Sequence, residues 1–239
     1  GNDTGIFISL LTGLIEYNTY QVSAYATNEK GTSYGSIRTF IATNDLYDSR
    51  DGQIYETVII GAQTWMAENL NYQTGNSWCY NDFSYYCTEY GRLYDWETIM
   101  NGYNSSNSVP SDVQGICPDG WHLPSDEEFK VLEMHLGMTH NMADDLGWRG
   151  TYEGEKLKST NGWNDNGNGT NTSGFTAWPG GSRKSDGSFY GVESYGYWWL
   201  CTEYSSENAM NRGLSYSEQK VYRAGNVKTV GNSVRCLKD

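Results

Sequence analysis

The sequence predicts an α+β protein of short sheets, long loops and one or two helices, preceded by a short all-β segment. Three observations predict it. Residues 14–26 alternate polar and apolar side chains, and the segments 54–60 and 63–66 also read as strands. A capping signature at Ser125 opens one amphipathic helix. Residues 160–190 are rich in Gly, Asn and Ser, the composition of loops.

Composition sets the outer bounds. The 239 residues carry 20 Tyr and 9 Trp, and 15% aromatics are ample material for a core, so the chain is not disordered. Tyr and Trp with Gly, Asn and Ser are also the vocabulary of binding surfaces. A β-rich fold with long polar loops and no special surface accounts for the same composition. The net charge is −13 with only 16 Lys and Arg, and they form no cluster. Nucleic acid and anionic lipid head groups are therefore excluded as partners, since both need concentrated positive charge. No apolar run approaches a membrane span. The chain starts at Gly1 inside a strand pattern, which reads as a fragment whose export signal has been removed.

Residues 6–42 read as strands, with Tyr20, Val22, Ala24 and Ala26 alternating against Gln21, Ser23 and Tyr25. Asn28 to Gly31 makes a turn, and Tyr34 to Phe40 supplies a partner. A polar connector follows, then the strands Ile54 to Ile60 and Gln63 to Met66. Tyr94 to Asn101 fits a short helix. In the main helix Ser125 caps, Glu128 reaches back, and Phe129, Leu132 and Leu136 form one buried stripe. The last fifty residues return to short strands.

The five cysteines contain no C-x2-C pair, which argues against a zinc site. Cys79 and Cys87 lie eight apart and read as a loop closed by a disulfide, worth about 2–3 kcal/mol in chain-entropy terms. The arithmetic favours two bridges and a spare thiol, against five reduced cysteines in a cytosolic protein.

The first segment resembles the last strands of a fibronectin-type-III-like module over residues 1–43. About half a sandwich is present, which must dock on the second domain or on further chain. The second unit, 45–239, resembles the Fibrobacter succinogenes major paralogous domain. The resemblance rests on Asp51-Gly52-Gln53-Ile54-Tyr55, Gln63-Thr64-Trp65-Met66-Ala67-Glu68-Asn69-Leu70, Tyr90-Gly91-Arg92-Leu93-Tyr94-Asp95-Trp96, Cys117-Pro118-Asp119-Gly120-Trp121-His122-Leu123-Pro124-Ser125, Gly174-Phe175-Thr176-Ala177-Trp178-Pro179-Gly180-Gly181 and Ser233-Val234-Arg235-Cys236-Leu237. That family is similar to the C-type-lectin-like and formylglycine-generating-enzyme superfamily. The resemblance implies a C-type-lectin-like fold, a bridge from Cys117 to Cys236, and a ligand face built from the C-terminal strands and loops. It also implies an exported protein of a Bacteroidetes-type bacterium, a lipoprotein anchored at the outer membrane. The catalytic relatives carry a C-x4-C pair near the end, which is absent here; Cys201 sits in an apolar strand and reads as core.

Other constellations have plain readings. Trp163-Asn164-Asp165 spells a calcium-lectin signature, but its companion motif is missing and it lies too early. No cofactor is expected, although the acidic balance is compatible with a structural calcium in the loops. His122 reads as a structural hydrogen-bonder, His135 lies in the main helix, and His140 and Asp144-Asp145 read as loop. No nucleophile has a supporting local context, so the chain offers no active site. The exception to plainness is 189–226. Alternation forces part of this aromatic stretch outward. Trp198 and Trp199 read as core, whereas Tyr190, Glu203, Tyr204, Asn208, Arg212, Tyr216, Tyr222 and Arg223 form the candidate ligand surface, with a bulge at Gly213 re-aiming Arg212 and Tyr216. The expected function is an extracellular adhesion module for a glycan or protein ligand; the alternatives are an enzyme related to the formylglycine-generating group and a structural domain of a surface assembly.

Overall fold

The computed structural model describes residue 11 and residues 13–15, 18–43 and 45–239, which divide into two units, 1–45 and 46–239. Of the expected N-terminal strands, residues 6–10, 12, 16 and 17 lie outside the described residues.

In the first unit the stretch read as one strand is two, β1 (Thr19–Val22) and β2 (Tyr25–Asn28). The break falls at Ser23-Ala24, where the Ser23 hydroxyl donates to the Gly35 carbonyl and the Gly35 amide donates to Ala24. That crossing lets β2 fold onto β3 (Gly31–Tyr34), while β1 pairs with β4 (Arg38–Ile41). Each is a two-stranded ribbon with mostly exposed side chains. Ring pairs, Tyr20 stacked on Phe40 and Tyr25 tilted against Tyr34, supply cross-strand contacts.

The second unit opens with a hairpin of β5 (Leu46–Tyr47) and β6 (Ile54–Tyr55). Strands β7 (Thr57–Ile60) and β8 (Gln63–Met66) follow, then β9 (Ser77–Trp78), α1 (Ser84–Tyr90), β10 (Leu93–Tyr94) and α2 (Trp96–Met100). After β11 (Trp121–His122) come α3 (Asp126–His135), α4 (His140–Asp144), β12 (Gly147–Arg149) and α5 (Glu153–Leu157). The chain ends through β13 (Ser182–Arg183), β14 (Phe189–Tyr190), β15 (Tyr195–Glu203), β16 (Asn208–Ser215), β17 (Val221–Val227) and β18 (Leu237–Lys238). One four-stranded sheet has the order β11-β18-β8-β7, so the last strand is inserted between early ones; the other has the order β12-β17-β16-β15.

The described residues are therefore mixed α+β, with five α-helices where one or two were expected. The additional ones are five to seven residues long, too short for a periodic stripe to declare them. His140 begins a helix rather than a loop, because the Thr139 hydroxyl accepts from the Met142 amide as a cap. Asp144 ends that helix and pairs with Lys130 at 2.6 Å. The segment between Cys79 and Cys87 holds the start of α1 and is not a plain loop. Where short strands were expected at the end, β15, β16 and β17 are long, nine, eight and seven residues, because each pairs with a long neighbour, and only β18 is short.

The main helix follows its sequence signature. Ser125 accepts from the Glu128 amide, and the Glu128 carboxylate accepts from the Ser125 amide at 2.9 Å. Glu128 also meets His122 Nε2 at 2.9 Å, and Asp239 meets His122 Nδ1 at 2.7 Å. Burial alone would lower the His122 pKa; the two carboxylates reverse that and hold it raised. His122 is a structural link between α3 and the chain end.

Two buried clusters make the core, one around Tyr94, Trp199 and Cys117–Cys236, the other around α3, Trp65, Phe175 and Trp198. Disulfides join Cys79 to Cys87 and Cys117 to Cys236; Cys201 is free and buried. The second bridge closes a 119-residue separation, worth about 5 kcal/mol in chain-entropy terms. Arg235 lies fully buried with its face on the Phe175 ring, donating to the Phe175 and Thr176 carbonyls and to Asn69 Oδ1. It has no carboxylate in contact, and burial pushes its pKa down.

Candidate functional site

The sheet β12-β17-β16-β15 presents one side to α3 and the other outward, and two neighbouring cross-strand rows show how. Pairing sets Tyr197 opposite Gly213, Gly213 opposite Tyr222, and Tyr222 opposite Trp148. One residue along, Trp198 faces Arg212, Arg212 faces Arg223, and Arg223 faces Gly147. Successive side chains in a strand point to opposite faces, so these rows diverge.

The outward row builds a cleft of about 370 Å³. Its walls are Tyr197 on one side and Tyr222 with Trp148 on the other, the last two with ring centroids 5.1 Å apart. Gly213 lies buried between them. A Cβ there would come within 3.0 Å of the Tyr197 ring and 3.3 Å of Tyr222 Cβ, so any larger residue pushes on the Tyr197 wall. Two residues along β15, Tyr195 lies nearly parallel to Tyr197 at 6.0 Å and to Tyr190 at 5.4 Å, which extends the wall into a ladder of three rings. A hydrogen bond between the Tyr190 and Tyr195 side chains raises the Tyr195 pKa, with burial adding to it. Ser215, Ser217 and Glu218 complete the lining.

The loop carrying Ser215 to Glu218 is fixed from behind by Lys158. This buried ammonium donates to the Ser215 and Glu218 carbonyls at 3.0 Å each, and burial lowers its pKa against the opposing pull of Glu155 and Glu218. Gly167 packs so closely on the Tyr216 backbone that a side chain there would collide with it.

The inward row is a charge network. Asp126, at the start of α3, accepts from Arg212 Nη1 at 2.7 Å and Arg223 Nη2 at 2.6 Å. Glu133, two turns on, accepts from Arg212 Nε at 2.9 Å and Arg149 Nη2 at 2.6 Å. Arginines directly opposite on a sheet repel; here Asp126 bridges them. Burial alone would raise the Asp126 pKa, but Arg223 and Arg212 more than reverse this and hold it far below the usual carboxylate range.

The eight candidate residues therefore separate into three places. Tyr190 and Tyr222 line the cleft, and the half-buried Tyr216 stands edge-on to Tyr195 behind its wall while leaning on the core. Glu203, Tyr204 and Asn208 belong to the far hairpin: Asn208 pairs with Val227, five residues or about 17 Å along the sheet from Gly213. There Glu203 pairs with Lys228, Tyr204 packs on Gly225, and Asn208 bonds Ser205. Arg212 corrects the expectation of an exposed contact: it is fully buried, and Arg223 is mostly held by Asp126 and the Asp144 carbonyl. The bulge expected at Gly213 is also absent, since its pairing is in register on both sides; the irregularity lies in β15 between Trp199 and Glu203. Without a bulge, Arg212 shares its face with Met210 and Leu214, and the carboxylates of α3 make that mixture stable.

The cleft residues that were not placed on the ligand surface from the sequence are Trp148, Tyr195 and Tyr197; Gly213 was singled out only as a bulge. Tyr195 and Tyr197 carried a signal, because they alternate with Gly196 and the buried Trp198. Trp148 carried none: its row depends on β12 pairing with β17, across more than seventy residues.

Trp163 of the calcium-like signature is buried, its indole N–H shared between the Ser159 hydroxyl and the Ala177 carbonyl, and Asn164 bonds Ser194. Among the described residues, no group of three or more His, Cys, Asp or Glu is placed to hold a metal ion, and no helix is long and apolar enough to cross a membrane.

No curated protein and no solved structure matches the chain. Residues 58–238, which include both four-stranded sheets almost entirely and the whole aromatic cleft, match the Fibrobacter succinogenes major domain. The chain belongs to that family.

Proposed function

We propose that the second unit is a non-catalytic binding module of an exported, outer-membrane-anchored bacterial surface protein, on a C-type-lectin-like fold, and that it takes a glycan in the aromatic cleft. The observation that carries this reading is the row Tyr197–Gly213–Tyr222–Trp148, an outward line of rings interrupted at one glycine. Aromatic rings in a protein normally hide their faces in the core or in an interface. A pyranose presents a flat apolar face rimmed by hydroxyls, and it fits between such walls with Ser215, Ser217 and Glu218 as polar partners. Rings braced by a sheet also lose little freedom on binding. Two disulfides fit an oxidising compartment outside the cytosol. An enzyme of the formylglycine-generating kind would need an accessible thiolate, whereas burial pushes the Cys201 thiol up to about 12.

The test is a glycan array probed with the wild-type chain and with Tyr197→Ala. Binding of at least one carbohydrate that the variant loses supports the reading. Capture of proteins alone, or carbohydrate binding indifferent to Tyr197, removes it.

A further inference from the structure

A separate groove runs beside α2, outside the cleft. Its wide part is a trough of about 810 Å³ lined by Tyr72, Asn76, Asn101 and Gln114 among others. Past Glu97, Gly102 and Tyr103, which line both parts, it meets a smaller pocket of about 330 Å³ formed by Trp96, Met100 and Lys228. The fold makes the junction rigid. Asn101 and Gly102 both adopt left-handed conformations at the end of α2, which turns the chain sharply and leaves Tyr103 standing exposed between trough and pocket. Gly115 packs directly on the Ile99 carbonyl, and Cys117 of the trough wall is tied to Cys236.

The chemistry of the two parts differs. The cations of the groove are already engaged: Arg50 is clasped by Asp48 and lies on the Tyr72 ring, and Lys228 pairs with Glu203 over the Trp96 ring. Among the described residues Glu97 makes no ion pair, and it is exposed at the junction, while Asp95 adds a second carboxylate to the pocket. The groove therefore offers hydrogen-bonding side chains along an open trough, an apolar pocket at one end, and unmatched negative charge between them. A glycan has no wholly apolar knob to fill a pocket floored by Met100. An extended polypeptide has one, together with a repeating set of amide groups for the trough.

We propose that this groove binds an extended polypeptide segment, with a large apolar side chain seated between Trp96 and Tyr103 and a neighbouring Lys or Arg against Glu97. It is a second site, for a second class of ligand, and does not depend on the cleft binding a glycan.

The experiment is an NMR titration of the full chain with capped hexapeptides of Ser and Gly carrying Phe beside Lys, Phe beside Glu, or Lys alone, and with a neutral oligosaccharide of glucose. The Phe–Lys peptide should shift the amides of Gly102, Tyr103 and Gly115 and the Trp96 indole. The Phe–Glu peptide should bind about fivefold more weakly, as loss of one exposed charge pair allows. Glu97→Gln should abolish that preference, and Tyr103→Ala should weaken both Phe peptides; both side chains are exposed, so the fold is retained. The proposal is overturned if no Phe peptide moves these signals at millimolar concentration. It is equally overturned if the oligosaccharide moves them as strongly, or if Glu97→Gln leaves the charge preference intact.

Discussion

Two rows of the same sheet, one residue apart, reverse the usual sorting of side chains. The row Trp198–Arg212–Arg223 faces inward and carries two arginines; the row Tyr197–Gly213–Tyr222–Trp148 faces outward and carries three aromatic rings. What separates them is the partner each face meets. The inner row meets Asp126 and Glu133 of α3, which satisfy buried guanidinium groups at 2.6–2.9 Å. The rings of the outer row line an open cleft instead. Residue type alone therefore misassigns both rows, and the difference teaches that a charged side chain belongs to the interior wherever the fold brings its counter-charge.

The sharpest way to break this comparison is to remove the counter-charge. Asp126→Ala leaves Arg212 and Arg223 opposite each other with their shared carboxylate gone, and it should destabilise the unit by about 3–5 kcal/mol, as breaking a buried ion pair does. Denaturant unfolding monitored by circular dichroism measures it. If the loss is under about 1 kcal/mol, the shared carboxylate is not what holds the inner row in place.

Acid tests the same carboxylate without mutation. Its folded pKa is depressed below the ordinary 3.8, so its stabilisation is present above that value and is lost as pH falls from about 4 towards the lower folded value. Thermal melts from pH 6 to 2 should fall steeply below pH 4. Asp126→Asn should melt lower throughout, with a shallower acid decline; parallel curves would show that other carboxylates govern the acid response.

The outer row is broken at its glycine. Gly213→Ala places a methyl against the Tyr197 ring, which cannot recede freely because Tyr195 stacks behind it. Carbohydrate affinity should fall about tenfold, or 1.4 kcal/mol. Unfolding free energy should change by less than about 1 kcal/mol, since the backbone there is ordinary strand. Unchanged affinity with the same Ala would mean that the ligand does not enter between Tyr197 and Tyr222. The paired measurement, calorimetric affinity and denaturant stability, separates this from unfolding.

What was legible in the sequence follows the same division. Local signals were reliable for the Ser125–Glu128 box, the Phe129-Leu132-Leu136 stripe, the strand 63–66 and the bridge between Cys79 and Cys87, whereas 54–60, read as one strand, is broken into β6 and β7. The Cys117–Cys236 bridge came from the family resemblance and from nothing local. The candidate surface was legible as a region but not as a face. Placing Arg212 inside required knowing that Asp126 and Glu133, 86 and 79 residues away, lie beneath it. Finding Trp148 required the pairing of β12 with β17. The five-residue helices α4 and α5 stayed hidden because less than two turns cannot show a period.

The smallest expected effect lies at the rim of the outer row. Tyr190 and Tyr195 are stacked at 5.4 Å and joined through their hydroxyls. If the ladder serves only as an apolar wall, removing one hydroxyl does nothing to a ligand. If the hydroxyls also present donors and acceptors in a fixed order, Tyr195→Phe frees Tyr190 to turn its hydroxyl away and removes one acceptor from the rim. Carbohydrate affinity should then fall by about 0.5–1.5 kcal/mol, the worth of one neutral hydrogen bond. Stability should stay within about 0.5 kcal/mol, because the pair sits where water replaces the lost partner. The ring itself remains, so stacking against Tyr197 is preserved and the two contributions are read separately. An affinity identical to wild type would assign the ladder a purely apolar role and shift the polar recognition to Ser215, Ser217 and Glu218.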